Sequence, residues 1–155
     1  MNIGIDQKQA GNIAAVLNQY LADLKTLHAK LQNYHWNLKG SAFFALHAKY
    51  EEFYDHLAEE VDEVAERILT LDQQPIGTLK GFLAAAKITE AKDEPISADD
   101  SARAVLADFE YLVRELRSAI EVAEENNDPG TADLFTGSMT YYEKNCWMLR
   151  AQLQK

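Results

Sequence analysis

The chain is poor in the residues that interrupt or staple a fold. It has a single cysteine, Cys146, so no disulfide can form within it. That suits a reducing compartment, and a cytoplasmic location is expected. Three prolines and seven glycines in 155 residues are too few for the many turns of an all-β sandwich. No uninterrupted apolar run exceeds five residues, as in Ala42 to Leu46 and Phe82 to Ala86, whereas a membrane span needs about 20. The N-terminal Met-Asn-Ile-Gly-Ile-Asp lacks the basic and apolar regions of a signal peptide, so none is expected. Basic residues are outnumbered 15 to 25 by acidic ones, leaving a net charge of −10. Polyanions are unfavoured partners and cations favoured ones.

What is present is enough for one domain. Apolar residues make up 47% and charged residues 26%, the balance of a globular chain that buries a core without staples. The acidic charge is concentrated. Residues 50–66 carry Glu51, Glu52, Asp55, Glu59, Glu60, Asp62, Glu63 and Glu66 with no Lys or Arg, and residues 118–143 are likewise free of basic side chains. Solvated helix faces usually alternate their signs, so both runs are candidates for holding cations.

Apolar spacing predicts four long helices. Ile13, Leu17, Tyr20, Leu24, Leu27, Leu31, Tyr34 and Leu38 alternate steps of four and three, the seam of one long helix. Gly40 stops it, and Ser41 is placed to cap the next. The second carries Phe43, Leu46, Tyr50, Phe53, Leu57, Val61, Val64, Ile68 and Leu71 before Pro75 and Gly77 break the pattern. A short amphipathic piece with Leu79, Phe82, Leu83 and Ala86 follows. Ser97 and Asp100 form a capping box for the third helix, with Val105, Leu106, Phe109, Leu112, Val113, Leu116 and Ile120. The fourth runs from about Thr131, burying Leu134, Phe135, Tyr142, Leu149 and Leu153. Short links make each helix pair antiparallel, and the long link from Leu71 to Ser97 can cross over. The expected fold is all-α, a four-helix bundle with one long crossover containing a short helix, in a single domain over residues 1–155.

The chemistry concentrates on the second helix. All four histidines, His28, His35, His47 and His56, lie in the first two helices. At 100° per residue, His47, Glu51, Asp62 and Glu66 fall on one stripe, well away from the helix's own apolar seam. Imidazole nitrogens and carboxylate oxygens suit Fe(II) and other first-row ions. His47 and Asp62 are roughly 22 Å apart along the axis at 1.5 Å per residue, too far to share one ion. The spacing is nonetheless palindromic: His47 and Glu66, and Glu51 and Asp62, share one midpoint, between His56 and Leu57. An identical antiparallel helix related by a two-fold sets His47 opposite the partner's Glu66 and Glu51 opposite its Asp62, with small Ala58 permitting close approach. His35, facing the start of the second helix, can join. Two equivalent sites per dimer result. No Glu-x-x-His motif occurs, and the third and fourth helices hold no histidine, so an intrachain di-iron core is not expected. Haem ligation through His28, Met139 or Met148 is a weaker reading, and no haem is expected.

Three stretches then carry a family resemblance. Asn33-Tyr34-His35-Trp36-Asn37-Leu38-Lys39-Gly40, Phe43-Phe44-Ala45-Leu46-His47 and Asp62-Glu63-Val64-Ala65-Glu66-Arg67, with Gln74-Pro75-Ile76-Gly77-Thr78-Leu79 after them, resemble the Dps family (DNA-binding protein from starved cells), the miniferritins. The helix plan is similar nearly end to end. The resemblance implies a ferritin-like bundle assembled as a hollow dodecamer. Iron would be oxidised at dimer interfaces, preferably by hydrogen peroxide, and kept as ferric mineral, protecting against oxidative damage. It implies metal ligands His35, His47 and Glu51 from one chain with Asp62 and Glu66 from its mate, although the family usually has Asp at the position of Glu51. It makes Trp36 an electron donor beside the centre, and it makes Asp128 and Asp133 similar to the acids lining three-fold pores. The alternative within the family is a nucleoid-associated DNA binder. Members of that kind commonly use a Lys/Arg-rich tail. Here residues 1–12 carry one Lys and one Asp, so direct DNA binding is not expected.

Overall fold

The computed structural model describes residues 2–154. Five helices, α1 (Gln7–Asn37), α2 (Phe43–Thr70), α3 (Leu79–Ala85), α4 (Ala98–Glu125) and α5 (Pro129–Leu153), are joined with two short strands, β1 (Leu38–Lys39) and β2 (Ile96–Ser97). The bundle is assembled from two hairpins, α1 against α2 and α4 against α5, with α3 on the crossover packed against α1. None of the described helices is long and apolar enough to cross a membrane.

The seam of α1 is the centre of the core: Ile13, Leu17, Leu24, Leu27 and Leu31 are fully buried, each worth about 1.5–3 kcal/mol of transfer free energy. The helix begins earlier than its apolar pattern, because Asp6 and Gln9 form a reciprocal capping box, Asp6 accepting from the Gln9 amide at 2.8 Å and Gln9 from the Asp6 amide at 2.9 Å. At the other end the chain turns sharply through Gly40, whose φ of 117° lies where a side chain is strained. Ser41 does not cap α2. The cap position is Ala42, without a side-chain bond, and the Phe43 amide bonds the Gly40 carbonyl at 3.1 Å.

The buried face of α2 also departs from expectation at one position. Leu46, Tyr50, Phe53, Leu57, Val64 and Ile68 are buried as predicted, but Glu60 occupies the inward place and Val61 is only half-buried. In the short α3, only Phe82 is buried; Leu79 and Leu83 are 77% and 52% exposed, since so short a helix rests on α1 along a single line. Leu134 and Leu153 of α5 are half-buried, whereas Phe135, Tyr142 and Leu149 are buried.

The crossover is pinned at two points. Buried Asp23 accepts from the Lys87 and Ile88 amides at 2.7 and 2.9 Å and from the Tyr111 hydroxyl at 2.9 Å. The strands then pair in parallel, Leu38 with Ile96 and Lys39 with Ser97, a contact that the residue pattern did not reveal. Ser97 caps α4 through the Asp100 amide at 3.1 Å, and its hydroxyl donates to the Asp100 carboxylate at 2.7 Å.

Candidate metal centre

The Gly40 turn carries the chain from the last turn of α1 back onto the first turns of α2, and so brings His35 and His47 together. Their rings stack with centroids 3.6 Å apart and planes 17° from parallel. Each Nδ1 lies against the other's backbone carbonyl, His35 to His47 at 2.8 Å and His47 to His35 at 2.9 Å. A carbonyl only accepts, so both Nδ1 atoms carry a proton, and Nε2 is the ring nitrogen left for a metal. This is the arrangement by which an outer partner fixes the tautomer of a metal-binding imidazole. Two further rings wall the pair: Phe43 stacks on His47 at 5.0 Å, and Tyr54 meets His35 edge-on at 5.5 Å.

The three carboxylates are arranged differently. Glu51, Asp62 and Glu66 are exposed on the outward face of α2, with Glu51 one turn from His47 and Asp62 one turn from Glu66. Among the described residues no three His, Cys, Asp or Glu gather closely enough within the chain to hold an ion. Trp36, next to His35, is 69% exposed. Tyr54 sits beside Glu51. Its phenol is raised above the ordinary tyrosine value, first by desolvation and then by the negative charges of Glu51 and Asp55. His28 packs edge-on to the same Tyr54 ring at 5.8 Å, and partial burial beside Lys25 holds it below the usual histidine range.

The two acids at the start of α5 part company. Asp133 is exposed and lines a cleft of about 340 Å³ with Glu63, Glu66, Arg67 and Gly130. Asp128, expected beside it at a pore, is instead buried and committed to structure. It caps α5 through the Thr131 amide at 3.1 Å, accepts the Thr131 hydroxyl at 2.5 Å and pairs with Arg67 at 2.6 Å. Burial alone would raise its carboxyl, but the Thr131 and Arg67 bonds outweigh that and hold it below the ordinary aspartate value. Its Oδ1 is shared by the Thr131 amide and Arg67, and its Oδ2 accepts the Thr131 hydroxyl.

Residue spacing also passed over a buried polar cluster. Glu60, 5% exposed, accepts from Tyr20 and Tyr142 at 2.5 Å each and from Ser138. The signal was in the sequence: Phe53, Leu57, Glu60 and Val64 keep the three-four spacing through the acid. An acid on a seam must find donors, and hydroxyls on α1 and α5 supply them.

Comparison with known proteins supplies the remaining observations. The ferritin-like domain family matches residues 14–155. DNA protection during starvation protein 2 of Bacillus anthracis is 41% identical over 143 residues, 92% of this chain and 97% of that protein. The crystal structure of a Dps protein from Bacillus brevis superposes with a TM-score of 0.93 at 39% identity, covering 97% of this chain and all of that one. The Dps protein of Vibrio cholerae O1, described as a member of a broad superfamily of ferritin-like diiron-carboxylate proteins, gives a TM-score of 0.95 at 39% identity over 99% of this chain and 96% of its own.

Proposed function

The chain belongs to the Dps family of ferritin-like proteins, and from that premise we propose that it oxidises ferrous iron at centres shared between two copies and stores the ferric product in a hollow dodecamer. The observation that carries this reading is the stacked imidazole pair, in which each Nδ1 is held by the other residue's backbone carbonyl and Nε2 is the ring nitrogen left to ligate.

The outward face of α2 supports a two-fold partner. Several outward residues equidistant from the midpoint between His56 and Leu57 form matching pairs. Phe44 and Leu69, 85% and 55% exposed, would cover each other across the interface. Ala48 falls opposite Ala65, and Asp55 opposite Ala58, so small side chains let the helices approach. His47 meets Glu66. Glu51 meets Asp62, two carboxylates that repel unless a cation lies between them. In this register each centre takes His35, His47 and Glu51 from one copy and Asp62 and Glu66 from the other. Glu51 keeps the carboxylate but reaches one methylene further than the Asp usual in the family.

Iron is the substrate. Two ferrous ions each give one electron to hydrogen peroxide; its O–O bond breaks, and with two protons two waters form. Because both electrons leave together, no hydroxyl radical is released, which is the protective value of peroxide as oxidant. Trp36, adjoining His35, would reduce any stray one-electron oxidant. Asp133, with Glu63 and Glu66 in one acidic cleft, would draw ferrous ions toward the centre. A cytoplasmic location fits this chemistry, since ferrous iron persists in reducing surroundings. No haem is needed, and a shell of chains each at −10 has little affinity for DNA.

Anaerobic ferrous titration followed by peroxide tests the reading. Saturation at two centres per dimer, rapid ferric absorbance and sedimentation as a large shell are expected. A monomer or simple dimer in light scattering, with no oxidation rate above buffer, would refute it.

A further inference from the structure

The buried cluster on the other face of α2 has a chemistry of its own. Tyr20 on α1 and Tyr142 on α5, 4% and 0% exposed, each donate to Glu60, one to each carboxylate oxygen, at 2.5 Å. Ser138 adds a third donor. Beside the carboxylate lies His56, its Nε2 3.8 Å from Glu60 Oε2, buried and without a hydrogen-bond partner, on a side chain that is 35% exposed overall. His56 in turn stacks on Tyr141 at 3.7 Å, and Tyr141 meets the edge of Tyr142 at 5.3 Å. These rings open onto a cleft of about 330 Å³ lined by Glu59, Glu63 and Asp133.

A phenol hydrogen-bonded to a carboxylate is set up to lose an electron and a proton together, because the proton has only to cross the bond that already holds it. Burial then shields the radical from solvent and from a second chain. Glu60 accepts from two phenols at once. Tyr111 also donates to an acid, Asp23, but that acid is already held by two backbone amides and Gln19. Tyr50 bonds only the Ser101 hydroxyl.

We infer that Tyr20, Glu60 and Tyr142 form a one-electron trap that takes up oxidising equivalents as a tyrosyl radical. The oxidant is of the hydroxyl-radical class, formed whenever ferrous iron meets peroxide singly. One phenolic O–H bond breaks. The electron passes to the hydroxyl radical, which becomes hydroxide, and the proton bonds to Glu60. A later ferrous ion returns the electron and becomes ferric, while Glu60 returns the proton. The radical is thus discharged without a break in the chain. Only the source of the oxidant rests on the iron reading above; the trap itself rests on the hydrogen bonds.

The test separates the two. Metal-free protein is flash-oxidised with photogenerated tris(bipyridine)ruthenium(III) and followed by electron paramagnetic resonance. A neutral tyrosyl signal is expected, with a coupling to an exchangeable hydrogen-bonded proton. In the Tyr20→Phe/Tyr142→Phe variant, and independently in Glu60→Gln, its lifetime should fall about tenfold or more, the change that one charge-assisted hydrogen bond makes to a rate. Tyr111→Phe should leave it unchanged. Equal lifetimes in wild type and both test variants overturn the inference, as does loss of the signal in Tyr111→Phe. Ferrous iron and peroxide are then added in place of the ruthenium oxidant. A photochemical radical with no iron-driven counterpart upholds the trap and agrees with two-electron peroxide reduction at the shared centre, whereas iron oxidation no faster than buffer in the same mixture counts against that centre alone.

Discussion

A centre built from two chains can be broken in two chains and mended by mixing them. His47→Ala removes one imidazole but keeps the backbone carbonyl to which His35 Nδ1 donates at 2.8 Å, so the remaining ring stays oriented. Asp62→Ala changes an exposed side chain, where substitutions typically alter stability by no more than about 0.5 kcal/mol. Both variants should therefore fold, assemble and oxidise iron little faster than buffer. After dissociation and co-assembly, a mixed dimer draws His47 from the Asp62→Ala chain and Asp62 from the His47→Ala chain at one centre, while its other centre lacks both. Random pairing makes half the dimers mixed, so roughly a quarter of all centres regain every ligand. Recovered activity should follow the product of the two chain fractions, peaking at equal mixing. Stopped-flow oxidation over a series of mixing ratios, with mixed assembly verified by mass spectrometry, measures it. A flat line at the level of the separate variants would refute the shared centre, since an intrachain site regains nothing on mixing.

The other predictions concern the ends of the helices and the surface. Asp128→Asn should lower thermal stability by about 3 kcal/mol, because it removes the charge from a buried pair and weakens a helix cap. The sign with pH is fixed by the lowered carboxyl of Asp128: its contribution is complete above the ordinary aspartate pKa of about 3.9 and is lost as pH falls through its lower folded value. The gap in unfolding midpoint between wild type and variant should therefore close on acidification below that range, and a gap independent of pH would disprove the assignment. Asp133→Asn should slow iron uptake at low ferrous concentration while leaving the saturated rate intact; unaltered uptake would remove Asp133 from the path. In a gel shift at low salt and neutral pH without divalent metal, DNA should run free, and a stable shifted band would contradict the charge argument.

Much of this molecule was legible in its residues for a simple reason. A three-four apolar seam as long as that from Ile13 to Leu38 has one helical solution, and α1 buries it as written. The outward position of Glu51, Asp62 and Glu66 was equally plain, because apolar and acidic residues occupy separate sectors of one cylinder. Contacts between distant segments were not. Nothing local marks Leu38 and Ile96 as strand partners, and the reciprocal imidazole–carbonyl bonds of His35 and His47 depend on how tightly the Gly40 turn closes. Asp128 shows the opposite failure. Its neighbours Pro129 and Thr131 signalled a cap, yet its charge suggested a pore, and only the approach of Arg67 from α2 decides between them. Glu60 was grouped with the acids of residues 50–66 as a candidate for holding cations, whereas its position on the seam required burial.

The locked imidazole pair has a bearing on how quickly metals come and go. A ligand side chain that is free in solution must be frozen when it coordinates, at a cost of roughly 0.5–1.5 kcal/mol. His35 and His47 are already held by each other's backbone and by the flanking Phe43 and Tyr54 rings, so that loss is incurred once, during folding, and not at each turnover. Neither ring has to turn to coordinate, since Nδ1 is already engaged and Nε2 is the nitrogen left over. Were iron to load at this pair, as proposed, the benefit would be kinetic: successive ions would find an unchanged receptor, and the slow step would shift from preparing the ligands to delivering the iron.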